Sequence, residues 1–228
     1  MTNAPQATPS EKESFPITPT NKIRVAKRAN YDKDTLFAIL DEGLIAQVGF
    51  VLDNKPIVLP MAYGRIGDQL YIHGAKAARM LKTLKEGVPV CLNVTLVDGL
   101  VLGRAAFHHT MNFRSANIHG TARLVEDEKE KYDALVAVTD HLAPGRWDET
   151  RETTAKELNA TMVIAVTIEE AASKIRAGMP IDDEEDYELD HWAGIVPIST
   201  CFGPAINDAR LKEGLPVAES IRKLTSRR

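Results

Sequence analysis

The feature that most constrains this chain is the order of its periodic segments. Strand-like runs follow one another with only turn residues between them, and helical runs do not alternate regularly with strands. Apolar or period-two runs at 44–52, 57–63 and 69–73 are separated by Asp53-Asn54 and by a turn at 64–68. Further runs at 88–96, 101–107, 116–125, 161–168 and 193–200 follow, with 174–177 extending one of them past a bend. Helical spacing marks a first helix with Asp32 as N-cap, Leu36, Phe37, Ile39 and Leu40 as its apolar face, and Gly43 as its stop. More helices are expected at 75–86, ended by Gly87, at 128–141, ended by Pro144-Gly145, and at 149–158. Such a chain is mainly β with peripheral helices, a barrel rather than a doubly wound sheet.

At 228 residues and 44% hydrophobic, the chain can bury one good-sized core and does not require two. Residues 1–21, rich in Thr, Pro and Ser without the apolar core of a signal peptide, read as a flexible lead. Residues 22–205 then form the domain and 206–228 a tail that ends basic. The net charge is −4, and the body carries no dense Lys/Arg run, so no nucleic-acid partner is expected. No stretch approaches the roughly 18 apolar residues of a membrane span. Cys91 and Cys201 each lie in an apolar run and read as buried free thiols, which suits a reducing compartment and a cytoplasmic protein. The acidic stretch 182–186 reads as a solvated loop.

Most familiar chemistry is missing. The chain has no GxGxxG after a strand, no Walker loop, no HExxH and no GxSxG. His108-His109 is the only adjacent histidine pair, and neighbours on a strand point to opposite faces, so no metal site is expected. One junction stands out. A strand ends at His73-Gly74 and the predicted helix opens directly after it, with Lys76, Arg79 and Lys82 close by. Unpaired N–H groups, a helix dipole and basic side chains make a seat for a phosphate.

The meander followed by Leu70-Tyr71-Ile72-His73-Gly74 and this basic segment resembles the pyridoxamine 5'-phosphate oxidase-like flavin-binding split barrels, and within them the subgroup of the nitroimidazole-resistance proteins. Arg28-Ala29-Asn30-Tyr31-Asp32, Ile39-Leu40-Asp41-Glu42-Gly43, Val48-Gly49-Phe50, Met111-Asn112-Phe113-Arg114-Ser115 and Asp190-His191-Trp192-Ala193-Gly194 agree in order, so the resemblance covers residues 22–198. It implies an FMN-binding split β-barrel and a homodimer with cofactor sites at the subunit interface. The backbone of Pro60, Met61, Ala62 and Tyr63 would lie along the flavin ring, with His73 and Gly74 beside the ribityl chain. Arg79, with Lys82 near it, would pair with the phosphate. Asn112, Arg114 and Ser115 would line the site, and Trp192 would pack near the ring.

The chain departs from the family pattern in three places. Ala78 stands where relatives carry Ser, Gln47 stands where they carry His, and no arginines follow Trp192, so pyridoxamine phosphate is not the expected substrate. The resemblance implies an FMN-dependent oxidoreductase acting on a small molecule that the sequence does not name, with no catalytic residue assigned. A non-catalytic flavin carrier or sensor is the alternative. A haem-binding split barrel is another, with His73, His108 or His109 as ligand.

Overall fold

The computed structural model of the chain describes residues 13–226. In chain order the strands and helices are β1 (Ala29–Asn30), α1 (Lys33–Glu42), β2 (Ile45–Leu52), β3 (Lys55–Ala62), β4 (Gly64–Ile66), β5 (Gln69–Ala75), α2 (Arg79–Leu84), β6 (Pro89–Leu102), β7 (Thr110–Leu124), α3 (Glu128–Leu142), α4 (Ala155–Ala160), β8 (Thr161–Thr167), β9 (Glu170–Arg176), β10 (Gly194–Pro197) and α5 (Glu219–Thr225).

The long β6–β7 hairpin is the trunk, and each of its strands changes neighbour along its length. On its outer edge β6 pairs with β2 at Cys91 to Asn93 and with β10 at Gly99 to Leu102. Likewise β7 pairs with β9 from Phe113 to His119, and then with β8 from Ala122 to Leu124. The main path runs β3-β2-β6-β7-β8-β5-β4, with β1 on β9 as a side branch. These changes of partner split the barrel. Gly120 stands at one of them: a Cβ there would lie 2.0 Å from the Thr167 carbonyl oxygen.

The sequence explains the faces. In β5, Leu70 and Ile72 point into the barrel, where α1 contributes Leu36, Ile39 and Leu40. Tyr71 points the other way and packs with Val163 and Ala165 of β8 beneath Ala134, Leu135 and Val138 of α3. Burial on both faces is why β8 reads as a continuous apolar run. Asp32 caps α1 by accepting from the Thr35 N–H at 2.8 Å. Asp53 and Asn54 both take positive φ, 50° and 58°, as a two-residue hairpin turn requires.

Several expectations need correction. The helix predicted for 75–86 begins only at Arg79, because the sheet ladder outcompetes it: Ala75 pairs with Thr161, and Lys76 N still donates to the Ala160 carbonyl at 3.2 Å. The run at 88–96 continues through Leu102 as one strand, β6, since Asp98-Gly99 is an irregularity in the ladder and not a turn; the rest of the run expected at 101–107 is not strand, and Ala106–His108 form a short 3-10 turn. The run at 116–125 reaches back to Thr110, the predicted turn at 64–68 contains β4, and the helix at 149–158 is confined to α4 behind a Thr154/Glu157 capping box.

The flexible lead expected over residues 1–21 lies outside the described residues up to residue 12. From 13 onward the chain is packed. Phe15 enters the core, and Asn21 is buried, donating to the Pro16 and Ala171 carbonyls. Asp182 is buried too, held by Arg104, so the acidic stretch is not wholly solvated. Cys201 is exposed rather than buried, and Cys91 is half-buried. The tail carries α5, tied down where Ser220 N donates to Glu149 at 2.9 Å. No helix among the described residues is long and apolar enough to cross a membrane.

Candidate functional site

Most of the site residues named above fall into two groups at opposite ends of the β6–β7 trunk. The first comprises His73, Gly74, Arg79 and Lys82, whereas Pro60 on β3 lies level, through Gln47 of β2 and Asn93 of β6, with Asn117 in the middle of β7, and Met61 and Ala62 lie beyond it toward the Asn112 end. On β5, His73 pairs with Val163, and Leu124 at the far end of β7 pairs with the adjacent Ile164. The second group is Asn112, Arg114 and Ser115 at the near end of β7, with Trp192 just before β10. Twelve residues separate Asn112 from Leu124, which at the rise of a strand is about 40 Å along β7. Measured along β7, the His73 level and Asn112 therefore lie at opposite ends of the strand, while Tyr63 and Arg114 meet neighbouring residues, Gly43 and Glu42, at the end of α1.

Within the first group, His73 is half-buried, and its Nδ1 is buried without a hydrogen-bond partner. Burial holds the imidazole below its ordinary pKa, so the ring is neutral near pH 7. Gly74 lies close against α2, where an added Cβ would meet Leu81 Cδ1 at 3.1 Å. Arg79 and Lys82 are exposed and form no ion pair among the described residues. With only six residues and no side-chain cap, α2 offers no preformed helix-terminus seat; any phosphate contact rests on side chains. Tyr63 differs from the expectation. Its ring is fully buried, its hydroxyl lies within hydrogen-bond reach of the Leu40 and Gly43 carbonyls, and burial pushes the phenol well above its usual range.

The buried imidazole has a consequence for stability. The unfolded chain binds a proton at His73 near 6.5, whereas the folded chain does so only at lower pH. Stability should therefore fall as pH drops below about 6.5 toward the folded value. Urea midpoints taken between about pH 7.5 and 5 should decline less for His73→Gln than for the wild type; parallel profiles would show that the ring does not feel its burial.

In the second group, the Arg114 fork is already engaged. Nε and Nη2 donate to Asp98 at 3.1 and 2.8 Å, and Nη2 also donates to Glu42 Oε1 at 2.8 Å. The guanidinium holds the Glu42 carboxyl below its usual range and is itself raised. Arg114 thus ties the end of α1 to the trunk. Ser115 Oγ donates to the Lys174 carbonyl at 3.3 Å. Asn112 is buried, its Oδ1 accepting from Arg176. Trp192 is 67% exposed and lies over Gly194, where a Cβ would come within 2.9 Å of the ring.

Sequence reasoning missed two features of this end. Phe107, in the connection between β6 and β7, is 91% exposed, and the histidines after it are oriented by oxygen acceptors. His109 Nε2 lies 3.2 Å from the Gly103 carbonyl, and His108 Nε2 lies 3.4 Å from Asp183. Neither Nδ1 has a hydrogen-bond partner among the described residues. His108, Asp182 and Asp186 bring one ligand atom each within 4.8 Å of the others, but Asp182 already accepts from Arg104 N at 2.8 Å and Nη1 at 3.1 Å. The second missed feature is Arg176 itself. It follows an ordinary strand and sits in no motif, so only the fold reveals its place beside Asn112.

Comparisons with known proteins agree with this architecture. The family model described as pyridoxamine 5'-phosphate oxidase matches residues 32–175. No curated protein matches the sequence. Among solved structures, the flavocytochrome Anf3 from Azotobacter vinelandii is 40% identical with a TM-score of 0.86, the match covering 93% of this chain and 99% of that one. The FAD and heme binding protein from Mycobacterium smegmatis is 35% identical with a TM-score of 0.83, covering 87% and 97%. A protein from Bacteroides thetaiotaomicron associated with 5-nitroimidazole antibiotic resistance shares the fold at 24% identity and a TM-score of 0.54, over 64% and 86%. With its matched residues spanning most of the barrel and two relatives aligned over nearly their whole length, the chain belongs to the pyridoxamine 5'-phosphate oxidase family and has its split-barrel fold.

Proposed function

We propose that this chain is a flavin- and haem-binding redox protein of the flavocytochrome kind, acting as a homodimer. The observation that carries the reading is the near full-length match to two relatives, one named a flavocytochrome and one an FAD and heme binding protein. We assign FAD as the flavin on the second of these, in place of the FMN that the sequence resemblance implies.

The residues present fit both groups. The orphaned His73 Nδ1 lies beside Gly74 and would be satisfied by a polar group of a bound flavin, with Arg79 and Lys82 free to meet its phosphates. His108 and His109 lie beside the exposed Phe107 in the β6–β7 connection; the Nε2 that a haem iron would take faces an oxygen acceptor in each, so ligation would require the imidazole to turn from it. The two groups supply the redox chemistry when bound; the protein's part is to hold, orient and shield them.

Dimerisation is supported by large apolar side chains left exposed on the sheet, among them Val51, Val58, Leu59, Val97, Leu100 and Val196. It is also supported by the distance between the two groups of site residues within one chain. A cytoplasmic setting is part of the same reading and rests on the two free thiols.

The test is an absorbance spectrum of the protein as isolated, followed by chromatography of the released cofactors. Flavin bands, a Soret band and released FAD are expected, with the Soret band shifted or lost in His109→Ala or His108→Ala. Released FMN would correct the flavin; a colourless protein that takes up neither cofactor would overturn the reading.

A further inference from the structure

At the end of β9, beside Asn112, lies a cavity of about 590 Å³ whose charged walls are all positive: Lys27, Arg28 and Arg176. None of the three forms an ion pair among the described residues. Arg176 is fixed at the base by neutral acceptors only. It donates through Nη1 to Asn112 Oδ1 and to the Gly178 carbonyl at 2.8 Å, and through Nη2 to the Met179 carbonyl at 3.2 Å. These bonds orient the guanidinium without neutralising it, and they use three of its five N–H donors. Arg28 lines the same cavity, and its side chain has no hydrogen-bond partner among the described residues. Two like charges held together without a counter-charge cost free energy, and a bound anion removes that cost. Apart from the polar Asn30, the rest of the wall is largely apolar, with Ile175, Met179 and Ile181, the last two being 64% and 72% exposed. The space is larger than one phosphate needs.

We propose that this cavity binds the anionic end, pyrophosphate or carboxylates, of a ligand whose body is partly apolar. Arg176 is the fixed donor, Arg28 and Lys27 complete the charge, and Met179 and Ile181 cover the body of the ligand. Free metabolites and the anionic arms of a flavin or a haem share this chemistry. The site stands on its own geometry, whatever cofactors the chain holds.

The test uses the full-length protein as isolated, with Arg28→Gln and the Lys27→Gln/Arg28→Gln pair. Neither side chain makes a bond that the fold needs, and relief of the repulsion should leave the melting temperature of Arg28→Gln at or above that of the wild type at low salt. Inorganic pyrophosphate is titrated calorimetrically against sodium chloride of equal ionic strength, and flavin and haem retention are measured in parallel. Saturable pyrophosphate binding that weakens about tenfold in Arg28→Gln establishes a site for a free anion. No pyrophosphate binding to the wild type, together with about tenfold weaker retention of flavin or haem in the paired variant, establishes that the cavity holds that cofactor's anionic arm. Pyrophosphate binding that is absent or equal in all three proteins, with cofactor retention unchanged, overturns the proposal. A wild-type protein without either cofactor defeats the flavocytochrome reading, while the pyrophosphate titration still decides this one.

Discussion

Gly120→Ala should destabilise the fold by about 3 kcal/mol or more, at the upper end of what overpacking costs. The added Cβ would stand 2.0 Å from the Thr167 carbonyl oxygen and 3.1 Å from Val166 Cγ1. The nearer contact is backbone, at the end of a strand paired along its whole length with β5, so no side-chain rotation relieves it. The position is also where β7 leaves β9 for β8, and moving Thr167 away would open the sheet at its branch. Urea denaturation measures the effect, with Gly203→Ala as control, since nothing lies within 4 Å of a Cβ there. Equal midpoints for Gly120→Ala and wild type would mean that the branch is looser than its geometry implies.

The fold was legible where one physical signal dominated. The α1 cap and apolar face, the Asp53-Asn54 turn and the doubly buried β8 could each be read from local pattern alone. The boundaries that failed were decided by pairing between distant segments. Residues 75–78 have helical composition but are held in extended or turn form by Thr161 and Ala160. Asp98-Gly99 has the composition of a hairpin turn, yet Gly99 pairs with Asn112 on one side and Pro197 on the other. The site was legible only as an ordered set of motifs. Tyr63 belongs to a strand end that carries the resemblance, but its ring is buried against Leu40 and Gly43. Arg114 occupies a family position, but its charge is engaged by Glu42 and Asp98. Arg28 and Arg176 lie 148 positions apart in the chain, that is 176 minus 28, and no local pattern connects them. Their meeting depends on the pairing of β1 with β9.

Subunit complementation should restore flavin binding when two defective chains are combined. The argument starts from the separation of about 40 Å along β7 between the His73 and Asn112 groups. If both groups contact one flavin in a homodimer, each site takes one group from each subunit. A chain carrying His73→Ala and Arg79→Ala then loses one half of both sites in its own dimer, and a chain carrying Asn112→Ala and Trp192→Ala loses the other half. Removing the Arg79 contact alone should cost about 1–3 kcal/mol of flavin affinity, and each double variant should be purified largely without flavin. When the two chains are produced together in equal amounts, half of the dimers are mixed. Every mixed dimer carries one intact site and one with all four changes, so about a quarter of all sites should fill. Flavin absorbance per subunit, read on dimers isolated by size, measures the fraction. A mixture that holds no more flavin than the two variants alone would mean that each flavin is bound by a single subunit, and the Asn112 end would then have to serve another ligand.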